Sequence, residues 1–245
     1  MTDSIRLAKR VAELRACSRR EAEQIITGGW VRVDGSVIEE PQFRVGDQQI
    51  EIDPSANPAQ TQAVTLLLHK PTGVVTLPPA DAASAAQYLD AANRWLQDPA
   101  RMQPLKIHFT QLTVCAPLDT AASGLVVFSQ DWRIVRKLTE DAATVEHEIV
   151  VEVAGDLAAN QTPGALKRMQ GVAFNGRTAG SLKVSWQSEN RLRVALKGAQ
   201  IGQVEKLCTA VGLQVLAMKR IRLGGVSMGK LPPGQWRYLR GDERF

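Results

Sequence analysis

VCAPLDTAASGLVVFSQD, residues 114–131, joins an acidic turn to an apolar run. Gly124 opens Leu125, Val126, Val127 and Phe128, which are apolar without alternation, the pattern of a strand buried on both faces. Asp119 stands just ahead of that run in a short polar loop. One carboxylate is therefore placed at the mouth of a core strand, where a rigid element gives way to an accessible loop. Taken alone, an Asp followed by Thr-Ala-Ala-Ser-Gly reads first as a turn residue bonding its own backbone. A reactive role for Asp119 needs support from the rest of the chain.

The 245 residues, 44% of them hydrophobic, suffice for one sizeable core or for a small domain plus a larger one. No run of apolar residues is long enough to span a bilayer, and the opening MTDSIRLAKR has no apolar core of a secretory signal, so cytoplasmic residence is the expectation. Cys17, Cys115 and Cys208 are odd in number and far apart. They read as small buried hydrophobes rather than as a disulfide framework or zinc site. His69, His108 and His147 are equally scattered, so no metal cluster is proposed.

A formal charge of +5 and a pI of about 9.3 suggest a polyanionic partner. Between residues 5 and 32 seven basic side chains (Arg6, Lys9, Arg10, Arg15, Arg19, Arg20, Arg32) face three Glu, and between 197 and 245 nine face three acids. Positive charge thus gathers at both ends, as two phosphate-contacting surfaces would require. Solvated helix faces and a charged tail are the plainer account of such runs.

Leu7, Val11 and Leu14 predict a short amphipathic helix. Ser18-Arg19-Arg20-Glu21 is a capping box for a second helix through Ala22, Ile25 and Ile26, which Gly28-Gly29 ends. Alternation from Trp30 to Val33, the tight-turn pair Asp34-Gly35 and Val37-Ile38 predict a hairpin. Phe43, Val45, Ile50 and Ile52 predict a strand pair around Gly46-Asp47. Helix, helix and hairpin in about fifty residues, with arginines where the helices meet, resembles the alpha-L RNA-binding domain. CSRREAEQIITGGWVRVDG is its most specific part. The resemblance implies that the Arg19-Arg20 pair and the second helix face RNA phosphates and shape, with Arg6, Lys9, Arg10 and Arg32 as further contacts.

Residues 54–63, PSANPAQTQA, read as a flexible linker. Beyond it, residues 64–69 predict a core strand, Lys70-Pro71-Thr72-Gly73 a surface turn, and 78–104 an alanine-rich segment with Tyr88, Trp95 and Leu96 as helical anchors. A helix through Ile134, Val135 and Leu138 is followed by the strand EIVVEV at 148–153 and a helix at 163–169. Two strands flank Asn175-Gly176, another strand spans 191–196, and Val204, Leu207, Cys208 and Val211 give a last helix ended by Gly212. The predicted class is α+β with a mostly antiparallel sheet.

HKPTGVVT, the Leu-Asp before SGLVV, the VVEV strand, KGAQIGQVEKLCTAVGLQV and KRIRLGGVSMGKLPPGQWRYL occur in one order. With the N-terminal module, they resemble the bacterial ribosomal RNA pseudouridine synthases of the small-subunit and large-subunit type. The resemblance runs over nearly the whole chain and is weakest at 78–114. It implies domains at 1–53 and 64–245 and isomerisation of a uridine in structured, ribosomal RNA without metal or organic cofactor. It also implies a flipped-out nucleotide and Asp119 as nucleophile. Lys206, Lys219, Arg220 and Arg222 supply the basic surface of the second domain. One copy of each domain reads as a monomer.

The chain departs from the family at three positions. Pro117 stands where the family has the Arg of Arg-Leu-Asp, Ile149 where it has the Tyr that stacks on uracil, and Glu205 where it has the arginine partner of the catalytic Asp. A carboxylate in place of that guanidinium would favour the protonated, non-nucleophilic form of one of the pair. Lys206, Lys219, Arg220 or Arg222 would then have to substitute. Two readings follow: a synthase with a rearranged set of partners, and an RNA-binding relative without catalysis. Trp236 and Tyr238 read as core rather than as base-stacking residues.

Overall fold

The computed structural model describes residues 4–77, 84–100, 102–155, 164–178 and 181–245. The chain divides into two compact units, Met1–Val64 with Arg101–Leu112, and Thr65–Ala100 with Thr113–Phe245.

In the first unit β1 (Ile5–Arg6) runs into α1 (Leu7–Arg15), and a left-handed Ala16 (φ 48°) leads to α2 (Arg19–Thr27). The predicted capping box is present. Glu21 N–H donates to Ser18 Oγ at 3.2 Å and Ser18 N–H to Glu21 Oε2 at 2.8 Å, satisfying two helix-start donors. β2 (Val31–Val33) turns through Asp34 and Gly35, both at positive φ, into β3 (Ser36–Val37), the mirror-image turn that Asp-Gly favours.

β4 (Arg44–Val45) and β5 (Ile50–Ile52) do not form the predicted pair; β4 joins β1 and β5 joins β2. The first pairing carries Val45 into the helical core and lets Leu7 N–H reach the Phe43 carbonyl at 2.7 Å. Leu14 is half-exposed because Ala8, not Leu14, completes the buried stripe with Leu7 and Val11. Residues 54–63 are not the expected flexible linker. They hold a 3-10 turn, Pro58–Thr61, capped by Asn57, and the Gln60 carbonyl accepts from His108 Nε2 at 2.6 Å. Leu105 and Ile107 join the core of this unit.

The second unit begins with β6 (Thr65–Lys70), β7 (Thr113–Cys115), β8 (Ser123–Ser129), α3 (Trp132–Thr139) and β9 (Glu146–Val153). It continues with α4 (Ala165–Met169), β10 (Ala173–Phe174), β11 (Arg177–Thr178), β12 (Lys183–Ser188) and β13 (Arg191–Lys197). α5 (Gln203–Thr209), β14 (Val215–Leu223), β15 (Val226–Ser227) and β16 (Trp236–Tyr238) complete it. Of the helix predicted at 163–169, residue 163 lies outside the described residues, as do 78–83 of the alanine-rich segment.

A nine-stranded sheet runs β12-β13-β9-β14-β8-β6-β16, with β15 on β14 and β7 on β8. Among the described residues its one parallel pair is β14 with β8. The class is α+β, as the sequence implied. β8 is buried on both faces from Gly124 to Ser129. Gly124 is required where it stands: it lies at φ 113°, and a Cβ there would come 2.3 Å from the Arg220 carbonyl oxygen of the parallel neighbour.

Trp236 and Tyr238 are fully buried and meet edge to face at 5.2 Å, so they are core. Tyr88, Trp95 and Leu96, the candidate anchors of a segment the sequence left unplaced, lie on no α-helix among the described residues. Ala85–Tyr88 is a 3-10 turn and Leu96 is almost wholly exposed, because the Trp95 N–H bonds the Trp236 carbonyl and ties the segment to the sheet. No helix of the described residues is long and apolar enough to cross a membrane.

Candidate active site and RNA-binding face

The loop between β7 and β8 carries Asp119 and is fixed from several sides. Thr76 Oγ1 donates to the Leu118 carbonyl at 2.6 Å and accepts from Leu118 N–H at 3.2 Å. Gly73 N–H donates to the Thr120 carbonyl at 2.8 Å, and Ala122 N–H to the Asp119 carbonyl at 3.1 Å. Ala116 adopts the left-handed region at φ 51°, a strained conformation for a residue with a Cβ that surrounding bonds must hold.

Those bonds come from Arg220 on β14. Its Nη2 donates to the Ala116 carbonyl, Nη1 to the Pro117 carbonyl at 3.3 Å, and Nε to the Leu125 carbonyl at 2.8 Å. Nη1 also meets His147 Nδ1 at 3.4 Å, and since a guanidinium only donates, that ring nitrogen accepts. Burial pushes the Arg220 guanidinium down to about 10 while the charge of Asp119 acts the other way. Burial, then the Arg220 charge, lower His147 to about 3, so its imidazole is neutral. Arg220 is 1% exposed and out of reach of RNA phosphates, which corrects its expected place on the basic surface.

Lys70 is a second correction. The sequence placed it on a surface turn, yet it is completely buried at the end of β6. Its Nζ donates to the carbonyls of Pro71 (3.0 Å), Val74 (2.8 Å) and Thr120 (3.3 Å), which satisfy all three of its protons. Burial lowers it to about 8, with Asp119 raising and Arg220 further lowering it.

Asp119 itself is half-buried, and its Oδ1 accepts from the N–H of Gly202, the cap of α5, at 2.7 Å. It opens on a pocket lined by Leu118, His147, Ile149, Ile201, Met218 and Arg220 among others. The cavity volume is about 10 Å³, room for one water molecule at most. Ile149 therefore sits where the resemblance placed a uracil-stacking Tyr, in a site that is closed.

The expected conflict between Glu205 and Asp119 does not occur. Glu205 is exposed on α5 and does not line the pocket, because the helix turns Val204 inward and Glu205 outward. Lys206 likewise points away, its Nζ lying 5.6 Å from the centre of the Phe174 ring. Strand alternation sends Glu148 to the face opposite His147 and Ile149. There Arg222 bonds Glu148 and Glu146, and Lys219 lines a separate cavity of about 730 Å³. Of the basic residues expected around the second-domain site, only Arg220 is brought to Asp119.

In the first unit Arg6, Lys9, Arg10, Arg19, Arg20 and Arg32 are all exposed. Arg6, Lys9 and Arg19 line one groove of about 560 Å³ with Ile5, Ala12, Glu13 and Cys17; Arg10, Arg20 and Arg32 lie outside it. Arg19 pairs with Glu23 at 3.2 Å and Arg10 with Glu13 at 3.6 Å, exposed contacts that phosphates can replace at little cost.

Sequence reasoning missed Thr76, Gly202 and His147 as parts of the site. Gly202 alone left a signal, a glycine immediately before a helical period; no local pattern marks the other two.

Three comparisons bear on this architecture. The S4 domain family matches residues 5–50. An uncharacterized RNA pseudouridine synthase of Aquifex aeolicus is 27% identical over 244 residues, 98% of this chain and 94% of that protein. The dual-specificity RNA pseudouridine synthase RluF of Escherichia coli K12 is 25% identical, over 98% of this chain and 77% of its own length. A crystal structure of a pseudouridylate synthase, 18% identical, superposes with a TM-score of 0.59 over 97% of this chain and 96% of that one, and shows the same fold. With an S4 domain at residues 5–50, relatives named RNA pseudouridine synthases that align along nearly the whole chain, and the fold of a pseudouridylate synthase, the protein is similar from end to end to the RNA pseudouridine synthases.

Proposed function

We propose that the protein is an RNA pseudouridine synthase that isomerises a uridine in ribosomal RNA, with Asp119 as nucleophile. The observation that carries this reading is the position of Asp119: a half-buried carboxylate held on a braced loop, capped by one backbone N–H and flanked by two buried cations. The relatives named RNA pseudouridine synthases, RluF among them, support the substrate class.

In this reading the exposed basic side chains of the S4 domain bind RNA, and the target nucleotide leaves its stack and parts the side chains around the narrow pocket to reach Asp119. The Asp119 carboxylate adds to the ribose C1′ as the bond from C1′ to N1 breaks, the freed uracil turns, its C5 then displaces the carboxylate from C1′, and the C5 proton passes to water while N1 takes one up, so that no proton is gained or lost overall. His147 is neutral and Lys70 has its protons committed to carbonyls, so neither is placed to act as the base. The resemblance requires no metal or organic group for any of these steps, and the working location is the cytoplasm with a single chain.

The test is tritium release from C5-labelled uridine in ribosomal RNA, comparing the parent with Asp119→Asn. Release by the parent alone supports the synthase; equal release by both sinks the assignment of Asp119. The alternative, an RNA-binding protein of the same fold without catalysis, is favoured by one observation, the closed pocket containing Ile149. Salt-dependent RNA binding with no release from any structured RNA would select it.

A further inference from the structure

We propose that Lys70 and Arg220 together are the positioning residues of Asp119, supplying from the end of β6 and from within β14 the positive field that position 205 does not provide. The mechanistic meaning of this inference rests on the synthase reading; the arrangement itself does not.

The two cations brace the same loop from opposite ends. Arg220 holds the carbonyls of Ala116 and Pro117 ahead of Asp119, and Lys70 holds the carbonyl of Thr120 just after it. Both side chains are buried, and each is neutralised only partly by dipoles, because carbonyls satisfy donors without cancelling a charge. Among the described residues neither makes an ion pair within 4 Å, and Asp119 is the carboxylate whose charge acts on both. Glu205 is exposed, and Glu148, on the other face of β9, is committed to Arg193 and Arg222.

A site with two buried cations and one carboxylate has a property that a site with a single ion pair lacks. Neutralising the carboxylate leaves two buried charges facing each other without a counterion, which destabilises the fold. Catalytic carboxylates that exist only for chemistry behave in the opposite way, since their removal relieves strain or repulsion.

The experiment is a set of thermal-unfolding cycles on the full chain, which need no substrate and so stand or fall apart from the synthase reading. Asp119→Asn is expected to lower the Tm of the parent by about 3 °C or more. The same substitution should cost less than half as much in Lys70→Met and in Arg220→Met, and nearly the full amount in Arg220→Lys, which keeps the charge. An unchanged or raised Tm for Asp119→Asn in the parent overturns the inference, as does an equal drop in the Met backgrounds. If Arg220→Met does not fold, the Lys70→Met cycle and the sign of the parent shift decide. In single-turnover assays Lys70→Met should lower the rate at saturating RNA at least tenfold with RNA affinity unchanged; a change confined to affinity contradicts a positioning role.

Discussion

Asp119 Oδ1 accepts the backbone N–H of Gly202 at 2.7 Å, a bond that joins positions 83 apart in sequence. It fixes one carboxylate oxygen toward the start of α5 and leaves the other for the pocket. Asp119→Asn keeps an acceptor for Gly202, whereas Asp119→Ala leaves that N–H unpaired. Both should lose product formation by about a thousandfold or more, with RNA affinity within about twofold of the parent. The check is single-turnover product analysis beside filter binding.

The S4 domain should hold RNA mainly through phosphates. Replacing Arg19 and Arg20 together by Ala removes up to two such contacts. The slope of log affinity against log salt should become shallower by about 1.5 to 2, with binding weakened on all RNAs tested alike. An unchanged slope would place the interface elsewhere.

Gly124→Ala forces a side chain into a left-handed position 2.3 Å from the Arg220 carbonyl oxygen. Since both partners are backbone in the centre of the sheet, neither can yield cheaply. A loss on the order of 3 kcal/mol is expected in urea unfolding, with product formation falling in step as β14 shifts Arg220.

Arg237 and Glu243 form a buried two-pronged pair, with Nη1 and Nη2 each 2.7 Å from a carboxylate oxygen. Hydrogen bonds from Arg237 and from the Arg240 N–H and the charges of both arginines outweigh burial and hold Glu243 below the usual carboxylate range. Glu243→Gln leaves a buried guanidinium short of charge and should cost about 3–5 kcal/mol, measured by the same unfolding curves.

Stability should also fall on mild acidification. Burial holds His69, His108 and His147 below the ordinary histidine range, His147 most strongly, at about 3. Between that value and the unfolded histidine range near 6.5 the unfolded chain binds more protons than the folded one. The stability associated with a neutral His147 is therefore complete above about pH 6.5 and declines as pH falls toward 3, by a few kcal/mol in all. Titrating the unfolding midpoint from pH 7 to 5 should show the decline, and His147→Gln should flatten most of it.

Local signals carried much of the architecture. The Ser18–Glu21 box, the Asp34-Gly35 turn and the unbroken apolar run after Gly124 each act within a few residues, and each produced the predicted element. Where a pairing depended on distant chain, as for β4 choosing β1, proximity in sequence misled. Residues 84–100, in a stretch that local patterns left unplaced, show the same dependence: Asn93 and Trp95 are held by bonds to β16 rather than by a periodicity of their own.

The same distinction separates what is known of the site. Sequence alone determined the α+β class and the placing of Asp119 before a core strand, because periodicity, turn chemistry and motif order are properties of neighbouring residues. It also raised Glu205 as a conflict, reasoning from register. Only the tertiary structure decided that Glu205 faces solvent, that Lys70 is buried and that Arg220 lies beside Asp119. Burial and charge partnership depend on which strands become neighbours, and the parallel pairing of β14 with β8, unlike a hairpin, leaves no mark in either segment.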